Sequence, residues 1–252
     1  MLIERTEFLG VEFDLLSEQQ VIDRLSLVTA ETPFRYIATP NVDHMVRLNS
    51  EGTEADVSAA YANADLCVCD SRVLARLARL RNVHLPVVTG SDLTAALLEQ
   101  VLRPGDRVAV IGGNPDIVRR LASRYPSADF IHHSPPMGLR RDSGAQAAAA
   151  EFIAQAKCRF TFLAVGSPQQ ELIAARVTGG TGFGLCIGAA LEFLTGDQIR
   201  APLVLRKTGL EWAYRLASNP RRLWRRYLLE GPKVFVLAWR WKSSRNDRGR
   251  RA

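Results

Sequence analysis

The chain reads as an α/β protein: a mostly parallel sheet with helices on both faces, plus a basic helical segment appended at the C-terminal end. Three observations predict this. Short apolar runs alternate with stretches of helical spacing along the first 199 residues. Each run stops at a cluster of Gly, Pro, Asn, Asp, Ser, Thr or small residues. Charge and tryptophan content then change abruptly near Arg200. Repeated strand–turn–helix units favour parallel strands, because the helix carries the chain back across one face of the sheet.

The elements follow in order. Residues 34–38 form an apolar run that ends at Thr39-Pro40-Asn41, and helical spacing continues over Val42–Leu48. Residues 66–69 end at Asp70-Ser71, before a helix over 73–80. Residues 86–88 end at Thr89-Gly90-Ser91-Asp92, before a helix reaching 102. Residues 107–111 end at Gly112-Gly113-Asn114-Pro115, before a helix to about 125. Residues 129–132 end at His133-Ser134-Pro135-Pro136, and 145–157 read as a helix. Residues 159–165 end at Gly166-Ser167-Pro168, and 183–187 at Gly188-Ala189-Ala190.

Several helix starts carry their own chemistry. Asn114 suits an N-cap and Pro115 a first helical position. Ser167-Pro168-Gln169-Gln170 reads as a capping box. Helix N-termini offer unpaired N–H groups and partial positive charge to anions. Ligands of open α/β sheets bind outside the carboxyl ends of the strands. Thr39, Asn41, Asp70, Thr89, Ser91, Gly112 and Gln170 should gather at that edge, which points to a phosphate-bearing ligand.

Composition narrows the classes. A chain of 252 residues, 47% apolar, can bury a sizeable core. Cys67, Cys69, Cys158 and Cys186 sit in apolar runs without C-x-x-C spacing, so they read as small core residues in a reducing compartment. The N-terminal residues lack a secretory apolar region, and no stretch reaches the roughly 18 apolar residues of a membrane span. G-x-G-x-x-G, Walker A and G-x-S-x-G are missing, as is any D-x-D with which a metal could hold a nucleoside diphosphate. His132 and His133 read as a solvated turn.

The last 53 residues carry 15 Lys/Arg against three acids and hold all four Trp. With a chain total of +7, residues 1–199 therefore sum to −5. An acidic body with a basic, Trp-bearing tail points to an anionic surface. Thr208-Gly209-Leu210-Glu211 reads as a capping box for a helix to about 217, and Asn219-Pro220 as the start of another. On that second helix Arg221, Arg222, Arg225 and Arg226 share one face, and Leu223, Trp224, Tyr227 and Leu228 the opposite one. Such a helix lies in a membrane interface. The expected units are an α/β body (1–199), a basic amphipathic helical appendage acting as anchor and active-site cover (200–241), and a flexible basic tail (242–252).

Taken together, the motifs resemble those of the WecG/TagA/CpsF glycosyltransferases. The resemblance is carried by Thr39-Pro40-Asn41-Val42-Asp43, Ala64-Asp65-Leu66 through Asp70, Thr89-Gly90-Ser91-Asp92, Ser134-Pro135-Pro136, Gly166-Ser167-Pro168-Gln169-Gln170-Glu171, Gly188-Ala189-Ala190-Leu191-Glu192-Phe193 and Gly209-Leu210-Glu211-Trp212 through Leu216. These stand in family order from about residue 8 to about 240.

The resemblance implies a Rossmann-like, inverting, metal-independent transferase with no cofactor. It would move a hexosyl or N-acetylhexosaminyl group from a UDP-sugar to a polyprenyl-diphosphate-linked sugar acceptor. The setting would be bacterial surface polysaccharide or teichoic-acid-like polymer synthesis, in the cytoplasm and peripheral on the inner face of the cell membrane. Asp70 maps to the catalytic base, and Thr39 and Asn41 to positions beside the reacting sugars. Gln169 replaces the family's usual Lys and Glu192 its usual Asp; Thr89, Ser91, Asp92, Gly112, Ser167, Gln170 and Glu192 are expected to bind substrate. Without a metal, Arg215, Arg222 and Arg225 from a tail closed over the site are expected on the departing diphosphate.

Plainer readings stand beside these. Asp70 and Thr39 also suit helix caps, and Asp92 suits the helix dipole. Two other functions compete: a nucleic-acid-binding protein with a basic aromatic tail, and a Rossmann-type oxidoreductase. The acidic body and two-faced tail helix oppose the first, so nucleic acid is not expected as a partner. The missing glycine fingerprint opposes the second. The apolar tail face also offers a surface on which copies of the chain can pair as a homo-oligomer.

Overall fold

A computed structural model describes residues 3–242. Six parallel strands make the central sheet: β3 (Arg35–Ala38), β4 (Leu66–Cys67), β5 (Arg107–Gly112), β6 (Asp129–His133), β7 (Phe160–Ala164) and β8 (Phe183–Cys186). They lie in the order β4-β3-β8-β7-β5-β6. An antiparallel hairpin, β1 (Arg5–Phe8) and β2 (Val11–Asp14), stands apart from this sheet.

Period-two alternation sorts the strand residues onto two cores. Tyr36, Ala38, Cys67, Cys69, Leu163 and Cys186 face one, and Ile37, Leu66, Val68, Phe160, Phe162 and Leu185 the other. The first core is covered by helices Val42–Leu48, Ala55–Ala62, Arg72–Leu80, Ser143–Ala156, Gln169–Arg176 and Lys233–Arg240. The second is covered by Glu18–Ser26, Gly90–Ala96 with its π-helical continuation Leu97–Val101, Pro115–Arg124 and Ala190–Leu194. Burial on both faces explains why the inner strands read as unbroken apolar runs. All four cysteines are buried and free.

The structure differs from the sequence reading in several places. Residues 86–88 form no strand; a single bridge joins Val87 to Cys69. Pro86 has no N–H to give a ladder. The hairpin was not expected. It turns at Leu9 and Gly10, both with positive φ, and the Gly10 amide donates to Glu7. Buried Asp14 pins it to the sheet by accepting from the Cys67 amide at 2.7 Å, and accepts from Arg5 across the hairpin at 2.7 Å. Helix Glu18–Ser26, opened by a Ser17/Gln20 capping box, and helix Ala55–Ala62 were also unread. His132 and His133 lie on β6, not in a solvated turn: His132 pairs with the Gly112 carbonyl and His133 stacks on Phe152.

Two expected capping boxes are absent. Pro168, not Ser167, occupies the cap of Gln169–Arg176, which leaves the Ser167 hydroxyl free for other partners. The Thr208 hydroxyl donates back to the Val204 and Leu205 carbonyls, closing helix Leu203–Lys207, while helix Glu211–Ser218 begins after Leu210.

The segment from residue 200 lies on the body. Arg200 and Arg206 bond Asp92, Arg76 donates to the Thr208 carbonyl, and Arg226 pairs with Asp43. Val234 and Ala238 are buried in the first core, and Trp241 packs edge-on against Phe8 and donates to Glu7. The flexible tail expected from residue 242 lies, beyond Lys242, outside the described residues.

Candidate active site

The sheet itself brings the two sharpest motifs together. The β3–β4 pairing continues past the strand ends, with the Val68 amide donating to Ala38 and the Asp70 amide to Pro40. Asp70 is thereby held beside Thr39-Pro40-Asn41. The third segment arrives at Gly90. A Cβ there would meet the Thr39 hydroxyl at 3.4 Å, the Ile187 backbone at 3.7 Å and the Asp70 carboxylate at 3.9 Å. The smallest side chain thus leaves room for Thr39 and Asp70 to face one space.

That space is a cleft of about 510 Å³ along the carboxyl edge of the sheet. Thr39, Asn41, Asp70, Ser91, Ser167 and Gln170 line it from the body, and Arg215, Arg222 and Arg226 line it from the appended segment. Asp70, Ser91 and Arg215 also line a second, more apolar cavity that adjoins it, where Thr89 and Asp92 join them.

The individual roles differ. The Thr39 hydroxyl donates to the Cys186 carbonyl at 3.0 Å and ties β3 to β8. The Asn41 side chain caps helix Val42–Leu48 by accepting from the Asp43 amide. Gln170 is buried with its amide fixed at both ends: Nε2 donates to Glu171, and Oε1 accepts from the Gly188 amide at 2.9 Å. This bond anchors the loop after β8. Ser167 bonds Tyr61 at 3.1 Å and accepts from Arg47 at 3.2 Å.

Asp70 is the most perturbed carboxyl in the cleft, with its pKa pushed up to about 8. Burial is the main cause and nearby Glu211 adds to it, while the Gly90 amide and Arg215 pull the other way. A partly buried carboxyl in a cleft with a strongly displaced pKa is the usual mark of a reacting group. Asp92 behaves oppositely. Burial works to raise its pKa, but bonds from Arg200 and Thr89 outweigh it and hold the carboxyl below the ordinary range.

Other expected residues sit elsewhere. Gly112 does not line the cleft. Its φ is +83°, and a Cβ would meet Val165 at 2.5 Å and the Ala164 carbonyl at 3.1 Å, so glycine serves the close approach of β5 to the turn after β7. Thr89 caps helix Gly90–Ala96 and, with Asp92, holds the appended segment. Glu192 is partly buried beside the cleft without lining it; burial raises its pKa, with Asp197 adding to the effect.

Arg225 points to solvent, and Arg226 takes the position in the cleft. The reason is helix phase. Leu223, Arg226 and Tyr227 are partly buried toward the body, Arg222 is exposed at the rim of the cleft, Arg221, Trp224 and Arg225 face water, and Leu228 is exposed along the adjoining cavity. Each face therefore mixes arginine with apolar residues, unlike the clean split read from spacing.

Sequence reasoning also passed over His44, Arg47 and Tyr61, and gave Glu171 no role although it closes one of the motifs. His44 lines the cleft, bonds Tyr61 at 3.2 Å, and has its pKa lowered to about 3 by burial and by Arg47 and Arg226. It is a neutral imidazole at neutral pH. Glu171 is fully buried, and burial raises its pKa. Only position, one turn past Asn41, could have flagged His44, whereas the motif that ends at Glu171 already pointed to that residue.

A parallel α/β sheet whose strand ends gather one perturbed carboxyl and several arginines is the layout of an enzyme working in a carboxyl-edge cleft. The chain belongs to the Glycosyl transferase WecG/TagA/CpsF family, which it matches over residues 6–248. It is a glycosyltransferase and so takes a sugar donor and an acceptor. It is also similar to the solved structure described as "The highly conserved domain of unknown function 1792 has a distinct glycosyltransferase fold", at 10% identity and a TM-score of 0.41, over 74% of this chain and 89% of that one. Among the described residues, no helix is long and apolar enough to cross a membrane, and no cluster of three or more His, Cys, Asp or Glu is arranged to hold a metal.

Proposed function

We propose that the enzyme moves a hexosyl or N-acetylhexosaminyl group, with inversion, from a UDP-sugar to a sugar carried on polyprenyl diphosphate, at the inner face of the cell membrane. The observation that carries this reading is the Asp70 carboxyl, which borders both the polar cleft and the apolar cavity. A donor in the first and a lipid-linked acceptor in the second would meet at this one group. Attack by an acceptor hydroxyl on the anomeric carbon forms the new glycosidic bond and breaks the bond to UDP. The hydroxyl proton goes to Asp70, and the charge that builds on the diphosphate falls to Arg215, Arg222 and Arg226. In its ionised fraction, a carboxyl with a raised pKa is a stronger base than an ordinary one.

The appended segment supports a peripheral position on a membrane. Trp224, Leu229, Val236 and Trp239 are exposed there, outside either cavity, alongside exposed Arg221, Arg225, Lys233 and Arg240. Basic residues contribute about 1 kcal/mol each near an anionic leaflet. The test is a donor screen: UDP release from a panel of UDP-sugars, with a polyprenyl-diphosphate-linked sugar present. Acceptor-dependent release from at least one donor is expected; release from none would refute the reading.

A further inference from the structure

The second cavity has a volume of about 780 Å³ and opens between helix Arg72–Leu80 and the appended segment. Much of its wall is hydrocarbon, from Leu77, Leu80, Leu203, Leu210, Leu228 and Phe235. Four of these are more than half exposed: Leu80 at 78%, Leu203 at 61%, Phe235 at 55% and Leu228 at 53%. Large apolar side chains lining one groove and left to water mark a binding surface. The groove leads inward to charge of one dominant kind. Arg200, Arg206, Arg215 and Arg226 reach it, and the buried Nε–H groups of Arg200, Arg206 and Arg226 have no hydrogen-bond partner among the described residues. Of the acids that share this lining, Asp92 is already held by Arg200 and Arg206, and Asp43 by Arg47 and Arg226, leaving Asp70 and Glu211.

An occupant complementary to both ends is an amphiphile, anionic at the arginine end and hydrocarbon along the groove. We propose that this cavity binds the diphosphate-proximal part of the acceptor's prenyl chain, with the diphosphate against Arg200 and Arg206, which line this cavity and not the first cleft. The proposal rests on the lipid-linked acceptor of the preceding section and goes beyond it. The start of the chain leaves the bilayer and is held by protein, so the chain itself contributes to recognition.

The test is direct binding to the full chain, without transfer. Quenching of the intrinsic tryptophan fluorescence or titration calorimetry would compare a fifteen-carbon prenyl diphosphate, kept below its micellar concentration, with inorganic diphosphate and with the uncharged prenyl alcohol. Each fully buried methylene is worth about fourfold in affinity. The prenyl diphosphate should therefore bind at least tenfold tighter than either fragment. Leu203→Asp and Phe235→Asp, both at largely exposed positions that the fold does not depend on, should each cost the prenyl diphosphate at least tenfold and move inorganic diphosphate less than twofold. Equal affinity for prenyl and inorganic diphosphate, or equal losses for both in the variants, would overturn the proposal. Full displacement by vesicles of anionic phosphatidylglycerol would also overturn it, by showing a general lipid surface. Failure of the donor screen would instead refute the UDP-sugar reading and leave this binding result standing.

Discussion

Replacing Asp70 with Asn should stabilise the protein, and increasingly so as the pH rises. The carboxyl ionises near 3.8 in an unfolded chain and near 8 in the folded one. Its folded pKa is raised, so the folded state holds the proton more tightly. The resulting stability is fully present below the unfolded value and is lost as pH rises toward 8. At pH 7 the difference amounts to roughly three pH units of ionisation, or about 4 kcal/mol as a ceiling. Asp70 keeps partial access to water in the cleft, which screens the charge, so about 2 kcal/mol is the expected size. For a chain of this length that is about 4–8 °C in Tm. The amide keeps the shape of the carboxyl and has no charge to lose. The assay is urea unfolding of both proteins at pH 4, 7 and 8.5. The gain should be near zero at pH 4 and largest at pH 8.5. A gain independent of pH, or a loss at pH 8.5, would refute the account of Asp70 as a carboxyl under strain from burial.

Other consequences follow from the same geometry. Gly112→Ala should lower stability by about 2 kcal/mol or more, because it adds a Cβ at positive φ against Val165 and Ala164; thermal unfolding reads this directly. Arg226→Ala should lower transfer to a detergent-solubilised acceptor at least tenfold, and Arg225→Ala less than twofold, since only Arg226 lines the cleft. Steady-state kinetics of the two variants side by side would decide the matter. Asp92 has a lowered pKa, so its bonds to Arg200 and Arg206 stabilise the fold above the ordinary carboxylate range and are lost as the pH falls through and below it. Limited proteolysis within residues 200–230 should accelerate on acidification, and Asp92→Asn should show the faster cleavage already at pH 7.

The gathering of Thr39, Asn41 and Asp70 at one edge was legible because the candidate site is built from strand ends. A run that stops at Thr-Pro-Asn and another that stops at Asp must, in a parallel sheet, deliver those residues to the same edge. The β3–β4 ladder does so through the Asp70 amide and the Pro40 carbonyl. What was not legible depends on tertiary phase. Spacing alone separates Arg221, Arg222, Arg225 and Arg226 from the apolar stripe, but the pairing of Arg226 with Asp43 and the burial of Val234 and Ala238 set which side meets the body. Ser167 was misread for a related reason. Its capping signal is local, yet Tyr61 and Arg47, distant in sequence, hold its hydroxyl. Gly112 carried a turn signal whose cause is packing against Val165 rather than contact with the cleft.

The central claim is that Asp70 removes the acceptor proton during sugar transfer. The most direct test is the pH profile of kcat/KM for the wild-type enzyme beside turnover of Asp70→Asn, with UDP binding measured on both. The account predicts a rate that rises with pH and levels near 8, and a variant that binds UDP as before but transfers about 10²–10⁴-fold more slowly. A flat profile together with variant turnover within tenfold of wild type would contradict it.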